Sequence, residues 1–150
     1  MVQKAGGLRR VAPDAVGLRL YEAAGKGELD AITRLATEWS GHPVLNWRNP
    51  SDNNRTPLFA ACRHGKTDVA RLLASLPGID INTLDKDGRS PLYGASSHSK
   101  ADCVRLLLSL PGIDVNLVSR AAAKDGQTPL AAAKTEEIKT LLRGAGGKML

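Results

Sequence analysis

Three histidines and two cysteines are the side chains of this sequence with the greatest potential for acid–base, nucleophilic or metal chemistry. His42 lies in a stretch with Gly and Pro, whereas His64 and His98 stand at equivalent positions of two similar segments. We interpret His64 and His98 as two copies of one surface position and not as an acid–base pair. The sequence has no Gly-rich phosphate loop, H-E-x-x-H motif or nucleophile elbow. It therefore predicts a protein that is not an enzyme and holds neither a cofactor nor a metal.

Cys62 and Cys103 fall within apolar helical patterns, with no His or Cys at ligand spacing. We predict that both are reduced core residues, and that they form neither a disulfide nor a zinc site. This use of cysteine favours a cytoplasmic location, with the nucleus as the second choice. No segment approaches the ~18 apolar residues of a membrane span. We expect a monomer that does not enter a membrane.

The stretch from Thr56 to Asn82 recurs 34 residues later, from Ser90 to Asn116. The copies read T-P-L-F-A-A-C-R-H-G-K-T-D-V-A-R-L-L-A-S-L-P-G-I-D-I-N and S-P-L-Y-G-A-S-S-H-S-K-A-D-C-V-R-L-L-L-S-L-P-G-I-D-V-N. Each copy opens with a hydroxyl residue before Pro, which is a helix start, and contains two short apolar helices separated by a break. The pattern predicts stacked helix pairs, because one pair alone cannot bury both of its sides.

Two shorter copies flank these repeats. The first begins at Val16 and lacks the T-P opening; the last begins near Thr128 and has about three residues missing between its helices. Apolar residues line the two helices of the first copy: Leu20, Ala23 and Ala24, then Leu29, Ile32, Leu35 and Ala36. We predict a flexible basic arm over residues 1–15, one domain over 16–143 and a flexible tail over 144–150. The predicted repeats are 16–49, 50–83, 84–117 and 122–143.

The motifs T-P-L-F-A-A, S-P-L-Y-G-A, T-P-L-A-A-A, G-I-D-I-N and G-I-D-V-N recur in register. With them the chain resembles ankyrin repeats, as two full repeats between N- and C-terminal capping repeats. The resemblance implies an all-α, helix-turn-helix solenoid with β-turn finger loops that acts in protein binding. The sequence departs from the family pattern where the usual His after T-P-L is replaced by Phe59, Tyr93 and Ala131, and where Ser99 matches Gly65.

In ankyrin-like stacks, partners usually dock on the finger tips and on the exposed ends of the first helices. Alignment places finger positions at Asp52, Asn53, Arg55, Lys86, Asp87, Arg89, Lys124, Asp125 and Gln127. The matching helix positions are Gly25, Lys26, Arg63, His64, Ser97, His98, Thr135 and Glu136. The resemblance thus implies a docking set of Trp47, Arg48, Arg55, Arg63, His64, Lys86, Arg89, His98, Lys124 and Gln127. For Trp47 the alternative is that it covers the end of the core together with Trp39.

The net charge of +6 is spread along the chain and not concentrated in one tail. One interpretation is a concave face that binds an acidic protein surface or segment, since complementary charge raises the association rate and sets orientation. A second is a solvated face whose charges only keep the stack soluble. A third is a nucleic-acid or acidic-polymer binder, although the sequence lacks the stacking aromatics and dense Lys/Arg clusters of such proteins.

Overall fold

The computed structural model describes residues 12–119 and 126–149. Over these ranges the chain forms eight α-helices and one 3₁₀ helix, at Pro43–Asn46, and it has an isolated antiparallel bridge between Asn49 and Arg55 instead of a sheet. The α-helices are α1 Pro13–Lys26, α2 Leu29–Glu38, α3 Pro57–Arg63, α4 Thr67–Ser75, α5 Pro91–Ser97, α6 Ala101–Leu108, α7 Pro129–Ala132 and α8 Glu136–Gly144. The all-α prediction is confirmed.

The helices stack as two rows. The first helix of each pair, α1, α3, α5 or α7, packs on the first helix of the next pair and forms the inner row. The second helices, α2, α4, α6 and α8, contact one another in the same order and form the outer row. Because the inner helices pack more closely than the outer helices, the stack curves toward the inner row. We call the exposed surface of the inner row and its adjoining loops the concave face.

The inner helices begin as their sequences predict. A cap hydroxyl accepts a hydrogen bond from the backbone N–H three residues on, and a Pro occupies the first helical position, where no N–H is needed. The capping pairs are Thr56 with Phe59 (3.2 Å), Ser90 with Tyr93 (3.1 Å) and Thr128 with Ala131 (3.2 Å). These local signals therefore fix the start of three inner helices.

Leucines and isoleucines from successive repeats form one continuous core. Its largest fully buried members include Leu20, Ile32, Leu58, Leu73, Leu92, Leu107, Ile138 and Leu142. Leu29 is an exception, since 40% of its surface is exposed at the first position of α2. The prediction that Leu29 lines the core was wrong. The helical period of apolar residues places Leu29 on the same side of α2 as Ile32 and Leu35, but it does not show whether another element covers the first turn of the helix.

Helices and hydrogen bonds at both ends of the described chain extend beyond the domain bounds of 16–143 that the sequence predicts. Helix α1 begins at Pro13, three residues before Val16 and within the predicted arm, of which residues 1–11 lie outside the described ranges. After α8, the Gly147 N–H donates to the Leu142 carbonyl at 2.7 Å. The Thr128 hydroxyl donates to the Lys148 carbonyl at 2.6 Å. Residues 146–148 thus form hydrogen bonds with the preceding repeats, and the flexibility of the arm and of the tail stays a prediction.

Asparagines tie each repeat to the next along one edge. Each asparagine donates from Nδ2 to a glycine carbonyl of the following repeat and accepts, through Oδ1, an N–H two residues beyond that glycine. The donor contacts are Asn46 to Gly78 (2.6 Å), Asn82 to Gly112 (2.8 Å) and Asn116 to Gly146 (3.1 Å). Because the three glycines are 34 residues apart, the shortened fourth repeat ends in the same register as the others.

Candidate functional site

Three finger loops connect the repeats, at residues 49–55, 85–89 and 119–127, the last of which is only partly described. A backbone hydrogen bond closes each finger, from the first residue's N–H to the last residue's carbonyl. The pairs are Asn49 to Arg55 (2.9 Å), Asp85 to Arg89 (3.0 Å) and Ser119 to Gln127 (2.8 Å). The first residue of each finger is polar and buried. The three fingers differ in length, but each is closed by the same backbone hydrogen bond and begins with a buried polar residue.

Two dipeptides, Asn53-Asn54 and Asp87-Gly88, form the turns at the tips of the first two fingers. Asn53 and Asn54 both lie in the left-handed region, with φ of 58° and 57°, and asparagine tolerates this conformation better than most residues. In the second finger Gly88 has φ of 72°. Asn53-Asn54 and Asp87-Gly88 therefore form the turns of two fingers, whereas Asp125 lies outside the described residues.

Asp85 is the hub that joins the first two fingers. Its side chain is fully buried, and it accepts hydrogen bonds from Asn53 Nδ2 and Arg55 Nε, both at 3.2 Å. It also accepts the backbone N–H groups of Asp87 and Arg89, both at 2.9 Å. A buried carboxylate is stable only when it is paired and hydrogen-bonded in this way. The sequence did not indicate the role of Asp85, because no neighbouring residue shows that its side chain contacts Arg55, which lies 30 positions earlier.

The arginines at the end of the first two fingers, Arg55 and Arg89, form ion pairs with finger carboxylates and pack on aromatic rings. Arg55 has a side chain that is 12% exposed; it pairs with Asp52 at 2.8 Å and with Asp85 at 3.2 Å. Its guanidinium lies 5.0 Å from the centroid of the Phe59 ring, a geometry that stabilises a cation. The carboxylates already compensate the charge of Arg55, so less of it is left to attract a partner, and its place in the docking set stays a prediction.

Arg89 repeats this arrangement one finger later. Its guanidinium lies 5.4 Å from the Tyr93 ring centroid and 3.7 Å from Asp87. The aromatic residues that replace the family's usual His thus serve as platforms for the arginine four residues before them. The Tyr93 hydroxyl in turn donates to Gln127 Oε1 at 2.9 Å, so Gln127 is tied to the inner row.

Tyr21 of the first repeat also donates its hydroxyl to a finger side chain, in this case the carboxylate of Asp52. Burial and then this hydrogen bond raise the pKa of Tyr21, so the phenol stays protonated. Burial opposes ionisation of Asp52, but the hydrogen bond from Tyr21 and the charges of Arg55 and Arg63 outweigh it and lower the pKa of Asp52. The finger carboxylate is therefore ionised and held in place from three directions.

A different set of basic residues remains exposed on the concave face. We define the basic row as four exposed residues near the C-terminal ends of the inner helices: Lys26 ends α1, His64 and His98 directly follow α3 and α5, and Lys134 lies two residues after α7. Among the described residues, none of the four takes part in an ion pair. Lys26 and the histidines stand at positions that the alignment indicates, but Lys134 was missed because the shortened repeat obscures its register.

Thr135 and Glu136, which the alignment placed at this end, belong instead to the outer helix α8. The Thr135 hydroxyl accepts from the Ile138 N–H at 3.3 Å and caps α8. Glu136 lies in the first turn of that helix, 3.2 Å from Lys139. Their assignment to the docking positions was wrong, because four residues at Pro129–Ala132 complete the inner helix of the last repeat.

The histidines of the basic row are surrounded mainly by cations. Partial burial of the His64 ring, and then the charges of Arg63, His98 and Lys66, lower the pKa of His64 below its usual 6.5. Burial is also the largest cause of the lowered pKa of His98. A hydrogen bond between His98 Nδ1 and the Gly94 carbonyl, at 2.9 Å, opposes this effect. Both rings are therefore mainly neutral near pH 7.

Trp47 does not project from the loop that carries it. Its ring lies directly on Gly17 of α1, where an added Cβ would be 2.1 Å from the indole, and its Nε1 donates to Asp14 Oδ1 at 2.9 Å. Trp39 is buried, with 7% of its surface exposed. The neighbouring Arg48 donates to the Leu84 carbonyl. The placement of both tryptophans thus agrees with the alternative that they cover the end of the core.

Of the remaining predicted positions, Arg63 and Lys86 are accessible on the concave side. Lys86 is exposed and, within the described ranges, has no ion-pair partner. Arg63 lies 3.7 Å from Asp52, with 30% of its side chain exposed. Lys124 lies outside the described residues.

The cysteines lie away from this face, within the core. Cys62 and Cys103 are buried and free, as the sequence predicts, and Cys103 Sγ lies 3.4 Å from Thr67 Oγ1. The hydrogen bond to Cys103 and burial raise the pKa of the Cys62 thiol well above its usual value. In the described parts of the chain, no group of three His, Cys, Asp or Glu side chains could hold a metal ion. No helix there is long and apolar enough to cross a bilayer.

The two rows of helices and the finger loops together define a helical-repeat solenoid whose exposed face carries equivalent positions from successive repeats. A family model for ankyrin repeats (3 copies) matches residues 20–119, and the chain belongs to this family. The family prediction is thus confirmed. A comparison with curated proteins gave no match. Ankyrin repeats are generally protein–protein interaction modules.

Proposed function

We propose that the chain is a non-catalytic module that binds a partner protein on its concave face, as an adaptor or as an inhibitor that covers a partner's surface. One observation carries the proposal: the basic row presents one exposed basic side chain from each of the four repeats, near the C-terminal ends of the inner helices, without ion-pair partners among the described residues. Two buried, free cysteines are compatible with the cytoplasm, where we propose that it acts as a monomer.

The charges of the concave face favour an acidic partner. Carboxylates already compensate the finger arginines, because Asp52 and Asp85 bind Arg55 and Asp87 faces Arg89. At neutral pH the positive charges left to attract a ligand are those of Lys86, Lys26 and Lys134, together with the partly paired Arg63, because His64 and His98 are mainly neutral. Complementary charges at such positions act on association rate and orientation more than on total affinity. Fingers held rigid by Asp85 would limit the entropic cost of binding.

The test compares two double variants that remove the same charge from opposite sides of the stack. Arg63→Ala with Lys86→Ala changes the concave face, whereas Arg71→Ala with Arg105→Ala changes exposed residues of the outer helices α4 and α6. Proteins retained by the immobilised chain would be identified, purified and titrated against each variant by calorimetry. Thermal unfolding of both variants controls for loss of fold.

We expect the concave variant to bind about tenfold more weakly and the outer variant to bind as the unchanged chain does. Equal weakening by both would indicate a general charge effect and contradict a concave docking face. Tighter binding by the concave variant would also contradict it. The solvated-face interpretation predicts no partner whose affinity distinguishes the two variants.

A further inference from the structure

We propose that the basic row binds an extended acidic segment of the partner protein, and that protonation of His64 and His98 adjusts the affinity. This inference deepens the proposed function and rests on it. It names the chemistry of the segment and adds a dependence on pH, which binding on the concave face does not by itself require.

The row continues from repeat to repeat without a gap. The His64 ring lies beside Gly25, where a Cβ would be 3.5 Å from its Cδ2, and Gly25 directly precedes Lys26. His64 and His98 are close enough for the charge of one to lower the pKa of the other. The charge of Lys134 acts in the same way on His98. These observations place each member of the basic row near the member from the next repeat.

The spacing of the row sets the register of a bound segment. Packed helices are about 8–10 Å apart, and an extended chain in the polyproline II conformation advances about 3.1 Å per residue with three residues per turn, which puts every third side chain on one face. Every third residue of an extended segment would then lie opposite one member of the row. A segment of about ten residues with an acidic residue at every third position spans all four members.

The surroundings of the histidines favour an incoming carboxylate. The main charges that act on the pKa of His64 are those of Arg63, His98 and Lys66, which lower it, and of Asp52, which raises it. His98 faces Arg63, Lys134 and Arg55, together with the Gly94 carbonyl. Cations therefore outnumber anions around both rings. A bound carboxylate would supply the missing opposite charge and would stabilise the protonated rings.

The sign of the pH effect follows from this environment. In the free chain, burial and neighbouring cations hold both histidine pKa values below the usual 6.5. A bound carboxylate raises these pKa values, so the complex takes up protons and affinity increases as the pH falls through and below 6.5. Since exposed ion pairs contribute modestly, we expect about a three- to tenfold gain for the two histidines together.

The experiment titrates the whole chain with two labelled peptides of identical composition. One decapeptide has Glu at every third position among Gly and Ser, and the other has the same Glu residues in one block. Fluorescence anisotropy would be measured near pH 7.5 and near pH 5.5 at about 0.15 M salt, where Glu remains ionised. A single-stranded oligonucleotide of the same net charge is the third ligand.

Variants assign the effect to the row. His64→Gln with His98→Gln removes the titrating groups, and His42→Gln is the matched control, because His42 lies in the loop before the 3₁₀ helix. Lys26→Gln should weaken binding equally at both pH values. Arg34→Gln removes the same charge from the outer helix α2 and should leave binding unchanged.

The proposal expects the spaced peptide to bind more tightly than the blocked peptide, with a three- to tenfold gain at the lower pH. The gain should be absent from His64→Gln with His98→Gln and present in His42→Gln. A gain that persists without both histidines, a preference for the blocked peptide or no peptide binding would overturn it. Tighter binding of the oligonucleotide would assign the row to a nucleic acid instead. Binding of a purified partner that is lost in Arg63→Ala with Lys86→Ala, yet insensitive to pH, would leave the proposed function intact.

Discussion

Asn82 Oδ1 accepts the backbone N–H of Asp114 at 2.9 Å, so a side chain that ends one repeat is bonded to the main chain of the next. The same side chain donates to the Gly112 carbonyl at 2.8 Å. Equivalent contacts of Asn46 and Asn116 continue this edge to Lys148. The closing asparagine of each G-I-D-x-N motif is thus a link between repeats and not a binding residue.

Asn82→Ala should therefore lower the free energy of unfolding by about 1–2 kcal/mol, because it removes two hydrogen bonds whose backbone partners are reached by water. Urea unfolding followed by circular dichroism measures this change. Ser109→Ala is the control, since its hydroxyl bonds only to Leu106 within its own helix pair and its loss should change stability by less than about 0.5 kcal/mol. If both variants lost the same free energy of unfolding, the hydrogen bonds of Asn82 between repeats would add no stability beyond that of a bond within one repeat.

Asp85→Ala should lower the free energy of unfolding by about 3–4 kcal/mol, because it leaves Arg55 without its buried partner and two finger N–H groups without an acceptor. Hydrogen exchange would show faster exchange at the amides of Asp87 and Arg89. Asp68→Ala is the control: Asp68 lies exposed on α4, bonded to Arg71. If Asp85→Ala were as mild as this control, Asp85 would not be the hub of the fingers.

Gly17→Ala should lower the free energy of unfolding by about 1–3 kcal/mol, because the new methyl group would occupy the space of the Trp47 ring. The tryptophan emission maximum should shift to longer wavelength as the ring is displaced. Gly144→Ala is the matched control, since nothing lies within 4 Å of a Cβ there. Unchanged emission in Gly17→Ala would contradict the contact between Trp47 and α1.

The turn between the helices of each central repeat provides a reciprocal pair of substitutions. Gly65 has φ of 71°, and its equivalent Ser99 has φ of 59°, a conformation that is strained for a residue with a Cβ. Ser99→Gly should raise the free energy of unfolding by about 0.5 kcal/mol, because relief of strain exceeds the added entropy of the unfolded chain.

Gly65→Ser should lower the same free energy by about 1 kcal/mol. Thermal and urea unfolding of both variants measure the pair. Stabilisation by Gly65→Ser would mean that backbone strain does not decide the residue at this turn.

Local signals predicted much of the fold. Thr56, Ser90 and Thr128 cap inner helices because a hydroxyl before Pro satisfies the first free N–H groups wherever the remaining chain lies. The repeat of 34 residues predicted the stacking, since each pair has an apolar side that only a neighbour can cover. Leu29 was misjudged, because the burial of its side chain depends on which element lies beside it.

The candidate site was less predictable. Alignment indicated the finger and helix-end positions correctly in the central repeats, but it could not distinguish compensated charges from free ones. Arg55 and Lys86 have the same sign and neighbouring finger positions, yet Arg55 binds Asp52 and Asp85 while Lys86 is exposed. Lys134 was missed because no residue of the shortened repeat signals that its inner helix ends at Ala132.

The amino-acid sequence by itself determined the family, the repeat register, the helix starts and the buried leucines, because these depend on residues within one turn or one repeat of each other. Only the tertiary structure decided that Asp85 receives Arg55, that Trp47 covers Gly17, and that the chain after α8 bonds to Asn116 and Thr128. These partners are 20 to 32 residues apart. Stacking brings them together, and the pairing energy of a buried charge depends on that arrangement rather than on its neighbours in sequence.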